Sequence, residues 1–103
     1  MAREVEWTES AAVGLTEAVE YLARDSPSYA ASLAVRADQA AISLSEFPSR
    51  GRLVREYRDP AVRELIVGSK YRLIYRITAT NVSVIAFVHT ARDLAAFVEE
   101  ITS

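Results

Sequence analysis

The chain has 103 residues, half of them hydrophobic and a quarter charged, with one His and no Cys. That is enough chain to bury a core without staples. The composition excludes disulfides, thiolate metal sites, Cys nucleophiles and multi-His metal centres.

The formal net charge of -2 hides an asymmetry. Residues 1–49 carry 3 basic and 8 acidic side chains, whereas 50–76 carry 8 basic (Arg50, Arg52, Arg55, Arg58, Arg63, Lys70, Arg72 and Arg76) against Glu56, Asp59 and Glu64. The middle segment is therefore expected either to meet an anionic partner or to form a solvated basic face. No apolar run reaches the roughly 20 residues of a membrane span, and Met1 to Glu6 lack a signal-peptide core. A cytoplasmic protein with no membrane partner is expected, folded as one domain over 1–103.

In chain order, Val5 and Trp7 alternate with Glu4 and Glu6 as in a short half-buried strand. Ala11, Ala12, Leu15, Ala18, Val19 and Leu22 then recur at helical spacing, predicting an amphipathic helix from about Thr8 to Arg24. Ser26 and Pro27 fit the N-cap and first position of a second helix. Its stripe is Ala30, Leu33, Ala34, Ala37, Ala40, Ala41 and Leu44, and it ends before Phe47-Pro48. The short connection makes the pair an antiparallel hairpin of helices.

Ser49 to Arg52 and Asp59-Pro60 read as turns, and Leu53, Val54 and Tyr57 between them carry no clear period. Val62–Val67 and Tyr71–Ile77 read as a β-hairpin closed at Gly68-Ser69. In its second strand Tyr71, Leu73, Tyr75 and Ile77 share one face, and Arg72, Ile74 and Arg76 the other. Val82 to His89 suits a central strand covered on both sides, with Val82, Val84, Ala86 and Val88 opposed to Ile85 and Phe87. Leu94, Phe97, Val98 and Ile101 predict a C-terminal helix, with Thr90 as a candidate cap. The fold class is α+β: an N-terminal strand, a helical hairpin packed on a small, mainly antiparallel sheet, and a final helix.

Glycines at 14, 51 and 68 cannot make a Gly-rich phosphate loop, so nucleotide-loop enzymes are excluded and no cofactor is expected. His89 is the sole candidate for a Ser-His-Asp triad or for proton transfer near neutrality. The structural alternative is a packing or capping residue at a strand-to-helix junction. Arg63, Arg72 and Arg76 on adjacent strands can converge on a phosphate or carboxylate if the hairpin register allows. They can equally pair across strands, for instance with Glu64. Tyr71, Tyr75 and Glu64 complete the titratable set that RNA cleavage would draw on.

Trp7, the helix with Ala11, Ala12 and Leu15, then Ala30 and Leu33, Pro48-Ser49-Arg50-Gly51-Arg52, Val62-Arg63-Glu64-Leu65, Tyr71-Arg72-Leu73-Ile74-Tyr75-Arg76-Ile77, and His89 with Arg92 together resemble the ParE/RelE toxin superfamily of bacterial toxin-antitoxin pairs. The resemblance covers nearly the whole chain and implies two alternative activities on one fold. RelE-like members cut mRNA on the ribosome with a basic cluster and an acid-base Tyr or His near the C-terminus. ParE-like members poison DNA gyrase without that set. Arg72 matches the arginine of the nuclease branch and Arg63 could stand for a second basic residue, with His89 as proton-transfer candidate. Leu65 and Val67 stand where further basic residues would be expected, and Phe97 where the terminal tyrosine would be. A phenylalanine cannot transfer a proton, and a pI of about 5.4 is unlike a ribosome-seeking nuclease.

The resemblance thus implies a non-catalytic gyrase inhibitor; on charge alone, and not from the family, Arg50, Arg52, Arg63, Arg72, Arg76 and Arg92 are candidate target contacts. The alternatives are an mRNA endonuclease and a degenerate, non-toxic antitoxin-binding module. It also implies a cognate antitoxin forming a hetero-oligomer, laid on the outer side of the Ala-rich hairpin and on an unpaired strand edge, and covering apolar side chains such as Phe47, Tyr57 and Phe97.

Overall fold

Thr8 ends the first strand and opens the first helix. Its backbone N–H donates to Val84 O at 3.0 Å, in register with β1 (Glu4–Trp7), while its hydroxyl accepts from Ala11 N as the N-cap of α1 (Glu9–Ala23). Ser26 repeats the device, accepting from Tyr29 N, with Pro27 opening α2 (Pro27–Ser43). A 3-10 turn (Pro48–Arg50) leads to β2 (Arg52–Leu53), β3 (Val62–Val67), β4 (Tyr71–Ile77) and β5 (Asn81–His89). This computed structural model describes residues 2–92 and Leu94. The expected C-terminal helix, with Phe97, Val98 and Ile101, lies outside the described residues.

The five strands form one sheet in the order β1-β5-β4-β3-β2. Only β1 runs parallel to its neighbour, pairing Val5 with Val82 and Trp7 with Val84. β2 was not expected as a strand. Two residues are too few to show a period, and pairing of Arg52 with Glu64 and Leu53 with Arg63 defines it instead.

The helical hairpin covers one face of the sheet. Ala11, Leu33, Ala37, Ala41 and Leu44 pack there with Val67, Tyr71, Leu73, Tyr75, Val82, Val84 and Phe87. Ala12, expected on the inward stripe of α1, is exposed; the stripe runs instead through Ala11, Leu15, Ala18 and Leu22. The opposite face buries Val54, Val62, Ile74, Ala86, Val88 and Leu94, with Tyr57 and Ile85 packed against them.

Simple alternation in β5 fails at one point. Ile74 pairs with Ala86 but Tyr75 pairs with Val84, so Ile85 is the extra residue of a β-bulge. The bulge reverses the parity beyond it: Phe87 joins Val82 and Val84 on the helix side, whereas Ala86 and Val88 turn to the other. Phe87 can therefore stack on Tyr71, with centroids 5.3 Å apart and planes at 10°.

Two glycines mark close approaches. A Cβ on Gly14 would lie 2.5 Å from Phe87 O, so α1 sits against the β5 backbone. At Gly51 a Cβ would lie 2.7 Å from Glu64 O and against the Tyr75 hydroxyl. That buried hydroxyl accepts from Gly51 N at 2.9 Å and donates to Pro48 O at 2.7 Å, tying the 3-10 turn to the sheet. Tyr75→Phe leaves the Gly51 N–H unsatisfied and is expected to lower stability by about 1–3 kcal/mol. Gly51→Ala, which meets the Glu64 backbone and the buried, hydrogen-bonded Tyr75 phenol, is expected to cost about 1–3 kcal/mol. Urea denaturation of both variants measures these losses.

Candidate target-binding site

The basic segment 50–76 is built around a buried carboxylate. Glu64, 4% exposed, is the one charged side chain buried among the described residues. Its even position in β3 places it opposite Ile74, on the face away from the helices. Arg72, opposite Ile66, lies diagonally across on the same face, and its Nε donates to Glu64 Oε1. The remainder of that guanidinium reaches Glu56, Nη2 to Oε1 at 3.2 Å and Nη1 to Oε2 at 3.4 Å. From β2, Arg52 Nε donates to Glu64 Oε2 at 2.6 Å. Glu64 thus holds two arginines and Arg72 holds two carboxylates. Four residues along, Arg76 donates to Asp59 Oδ2 at 2.7 Å and stacks over the Tyr57 ring at 5.6 Å. Tyr57 is consequently half-buried, unlike the exposed Phe47 with which the sequence grouped it.

The titration behaviour follows from this pairing. Burial opposes the Arg72 charge, but hydrogen bonds to Glu56 and Glu64 outweigh it and raise its pKa. The Arg72 bond holds Glu56 below the usual carboxylate range, and the Ala61 N–H with Arg76 does the same for Asp59. Burial raises Tyr71 and Tyr75, more than Gly51 N–H, Arg63 and Arg50 lower the latter. Both phenols are protonated at neutral pH.

The hairpin register separates the arginines that sequence reading offered as one cluster. Arg63 stands opposite Tyr75, on the helix side of the sheet, while Arg72 and Arg76 face the other way. There Arg63 Nη1 donates to Gly51 O at 2.9 Å, and its buried Nε has no partner. Arg50 Nη1 donates to Ser43 Oγ at 2.7 Å on the end of α2.

His89 pairs with Tyr71 across β4 and β5 and meets its ring edge-on at 5.3 Å. Its Nδ1 accepts from Ala91 N at 3.0 Å and its carbonyl from Arg92 N, the capping role weighed above. On that face it is separated from Arg63 by the length of β4 between Tyr71 and Tyr75, about 13 Å at strand rise. Arg72 points through the opposite face. Arg63, Arg72 and His89 do not surround one point. Arg92 lines a cleft with Glu17, Tyr21 and Tyr71 beside His89.

Glu64 was legible as a cross-strand partner, because two strands in register bring it to the arginines. Glu56 and Asp59 were not, since both lie in an irregular loop whose path no periodicity reveals. Among the described residues no group of His, Cys, Asp and Glu is placed to hold a metal ion, and no helix is long and apolar enough to cross a membrane.

Two stability predictions follow from the pairing. Arg72→Ala leaves Glu64 and Glu56 short of their shared cation, and is expected to destabilise by about 3 kcal/mol in urea; adding Glu64→Gln recovers part of the loss. Because Glu56 is depressed by folding, its contribution is complete above its unfolded pKa and is lost as pH falls through its folded value. The fall in stability between about pH 5 and pH 3 is expected to be shallower in Glu56→Gln than in the unaltered protein.

Comparison with known proteins agrees with this architecture. A family model for the ParE toxin of type II toxin-antitoxin systems, parDE, matches residues 5–94. The protein Toxin RelE2 of Caulobacter vibrioides (strain ATCC 19089 / CIP 103742 / CB 15) is 36% identical over 89 residues, which span 86% of this chain and 97% of that protein. A solved structure described as a chromosomal ParDE TA system from P. aeruginosa superposes with a TM-score of 0.70 at 17% identity, over 85% of this chain and 96% of that one, a likeness of fold. With the family model spanning strand β1 through Leu94, the chain belongs to the ParE toxin family of type II toxin-antitoxin systems, within the ParE/RelE superfamily.

Proposed function

We propose that this toxin acts in the cytoplasm, as one domain, by binding DNA gyrase and holding its DNA-cleaved state, without catalysis and without a cofactor, until a cognate antitoxin removes it. The observation that carries this reading is the separation of Arg63, Arg72 and His89, with Arg72 held between two carboxylates. Ribonuclease chemistry calls for a base, an acid and a phosphate-binding cation around one phosphorus. Arg72 spends donors on Glu64 and Glu56, His89 Nδ1 is turned to the backbone, and burial pushes the Tyr71 and Tyr75 phenols up, which makes them poorer bases. A binding toxin needs only a complementary surface, which the arginine-rich segment supplies.

The antitoxin has a separate apolar surface available. Val13 and Tyr21 on α1, Val35 and Ile42 on α2, and Phe47 beyond it are all exposed. A segment that folds on binding to the helical hairpin would cover them.

The name of the Caulobacter relative favours a second reading, RelE-like cleavage of mRNA on the ribosome. Purified gyrase separates the two. With increasing antitoxin-free protein, supercoiling is expected to fall and linear cleaved DNA to accumulate, with topoisomerase IV as the control. Intact supercoiling together with cleavage of ribosome-bound mRNA that Arg72→Ala abolishes would establish the nuclease instead.

A further inference from the structure

We propose that the cleft between β2 and the loop at 54–60 docks an extended acidic segment of the toxin's protein target. In this dock Arg55 and Arg58 hold its carboxylates while the exposed Leu53 and Pro60 seat an apolar side chain. The proposal rests on the gyrase reading for the identity of the target, and on the structure for the place and the chemistry.

The charge argument comes from pairing. The three carboxylates of the basic segment are each engaged by its own arginines: Glu64 by Arg52 and Arg72, Glu56 by Arg72, Asp59 by Arg76. Arg63 and Arg50 donate to Gly51 O and Ser43 Oγ. Among the described residues Arg55 and Arg58 make no hydrogen bond or ion pair, and both line one cleft of 360 Å³ with Leu53, Val54, Asp59 and Pro60. Five cations of the segment have no carboxylate of their own, Arg50, Arg55, Arg58, Arg63 and Lys70, and of these Arg55 and Arg58 line the cleft together, beside an Asp59 carboxylate already paired with Arg76.

The occupant follows from the lining. Leu53 is 57% exposed on β2, the edge strand of the sheet, whose outer side pairs with no other described strand. An open edge accepts an extended chain through backbone hydrogen bonds. Two guanidiniums beside an exposed leucine match carboxylates alternating with apolar side chains. A nucleic-acid backbone would instead need a row of cations to neutralise successive phosphates. Arg58 also holds φ at 54°, a conformation that favours glycine, so the loop keeps an arginine at a strained position. The strain is consistent with a binding role for that side chain.

Two measurements test the dock. In the gyrase assay, Arg55→Glu/Arg58→Glu is expected to raise the half-inhibitory concentration at least about tenfold, equivalent to about 1.4 kcal/mol. Arg36→Glu on the exposed side of α2 is expected to leave it unchanged. Circular dichroism melting confirms that each variant is folded, and Arg55→Ala/Arg58→Ala replaces the reversal if it is not. In parallel, a peptide of alternating leucine and glutamate is titrated into isotope-labelled toxin, beside a short oligothymidylate, with amide shifts read by NMR. Shifts confined to the peptide arm, at residues 53–60, and lost in the double variant, are the expected result.

Inhibition by the unaltered protein that the folded double variant matches would overturn the dock and leave the gyrase reading standing. Peptide binding at 53–60 without any gyrase inhibition would overturn the gyrase reading and leave the acidic dock standing. Oligothymidylate shifting these amides in place of the peptide, or peptide shifts on the helices, would overturn the dock. So would a double variant that still inhibits gyrase but escapes its antitoxin, because the cleft would then be the antitoxin's.

Discussion

Burial of the Glu64 carboxylate sets the arrangement of everything on the side of the sheet away from the helices. An unpaired carboxylate in that position would cost several kcal/mol, and the fold meets the demand with Arg72 from β4 and Arg52 from β2. Satisfying Glu64 in this way fixes the guanidinium of Arg72, and the fixed guanidinium in turn recruits Glu56 from the loop. The loop is then pinned at two further points, by Asp59 on Arg76 and by Tyr57 beneath the same guanidinium. An irregular segment thereby acquires a defined path across a sheet face, with Val54 beneath it in the second core.

This economy of charge decides which arginines are free to meet a partner. A sequence shows eight basic residues in a row of twenty-seven and no way to rank them. The structure ranks them by what they already hold. Arginines on β4 serve the fold with Arg52 of β2, Arg63 and Arg50 serve the corner around Gly51 and the end of α2, and the cations that remain are Arg55 and Arg58 in the irregular loop and Lys70 in the turn before β4. Charge density along a chain and charge presented at a surface are different quantities, and in this toxin they differ most at Arg72.

Much of the architecture was legible because it is periodic. β4 follows from alternation and β3 from its apolar ends and the Gly68-Ser69 turn behind it, and Ser26-Pro27 announces α2 through the chemistry of the cap. What escaped notice has no period. β2 is a strand only because β3 lies beside it, and the Ile85 bulge is invisible in a stretch that is apolar on both faces. Convergence of the three arginines was conditional on register, and the register denies it, since Arg63 pairs with Tyr75 and shares its face, whereas Arg72 and Arg76 share the other. The family itself was legible from the order and spacing of its motifs, whereas the roles of Glu56 and Asp59 depend on a loop path that only three-dimensional contacts define.

The parallel pairing of β1 with β5 gives this chain an order of events during synthesis. Strand β5 is at once the neighbour of β1 and the surface on which Gly14 lets α1 lie. A chain emerging from its N-terminus presents β1, α1 and α2 first; α2 finds Val67, Leu73 and Tyr75 once the β3–β4 hairpin follows, but β1 and the Gly14 side of α1 have no strand to lie on until residues 81–89. Strand β1 and helix α1 thus wait, open to solvent or to a partner already present, for most of the time the ribosome spends on this message. Closing the described sheet is the last step these strands allow, and a partner that binds α1 has its opportunity before β5 covers the inner side of that helix.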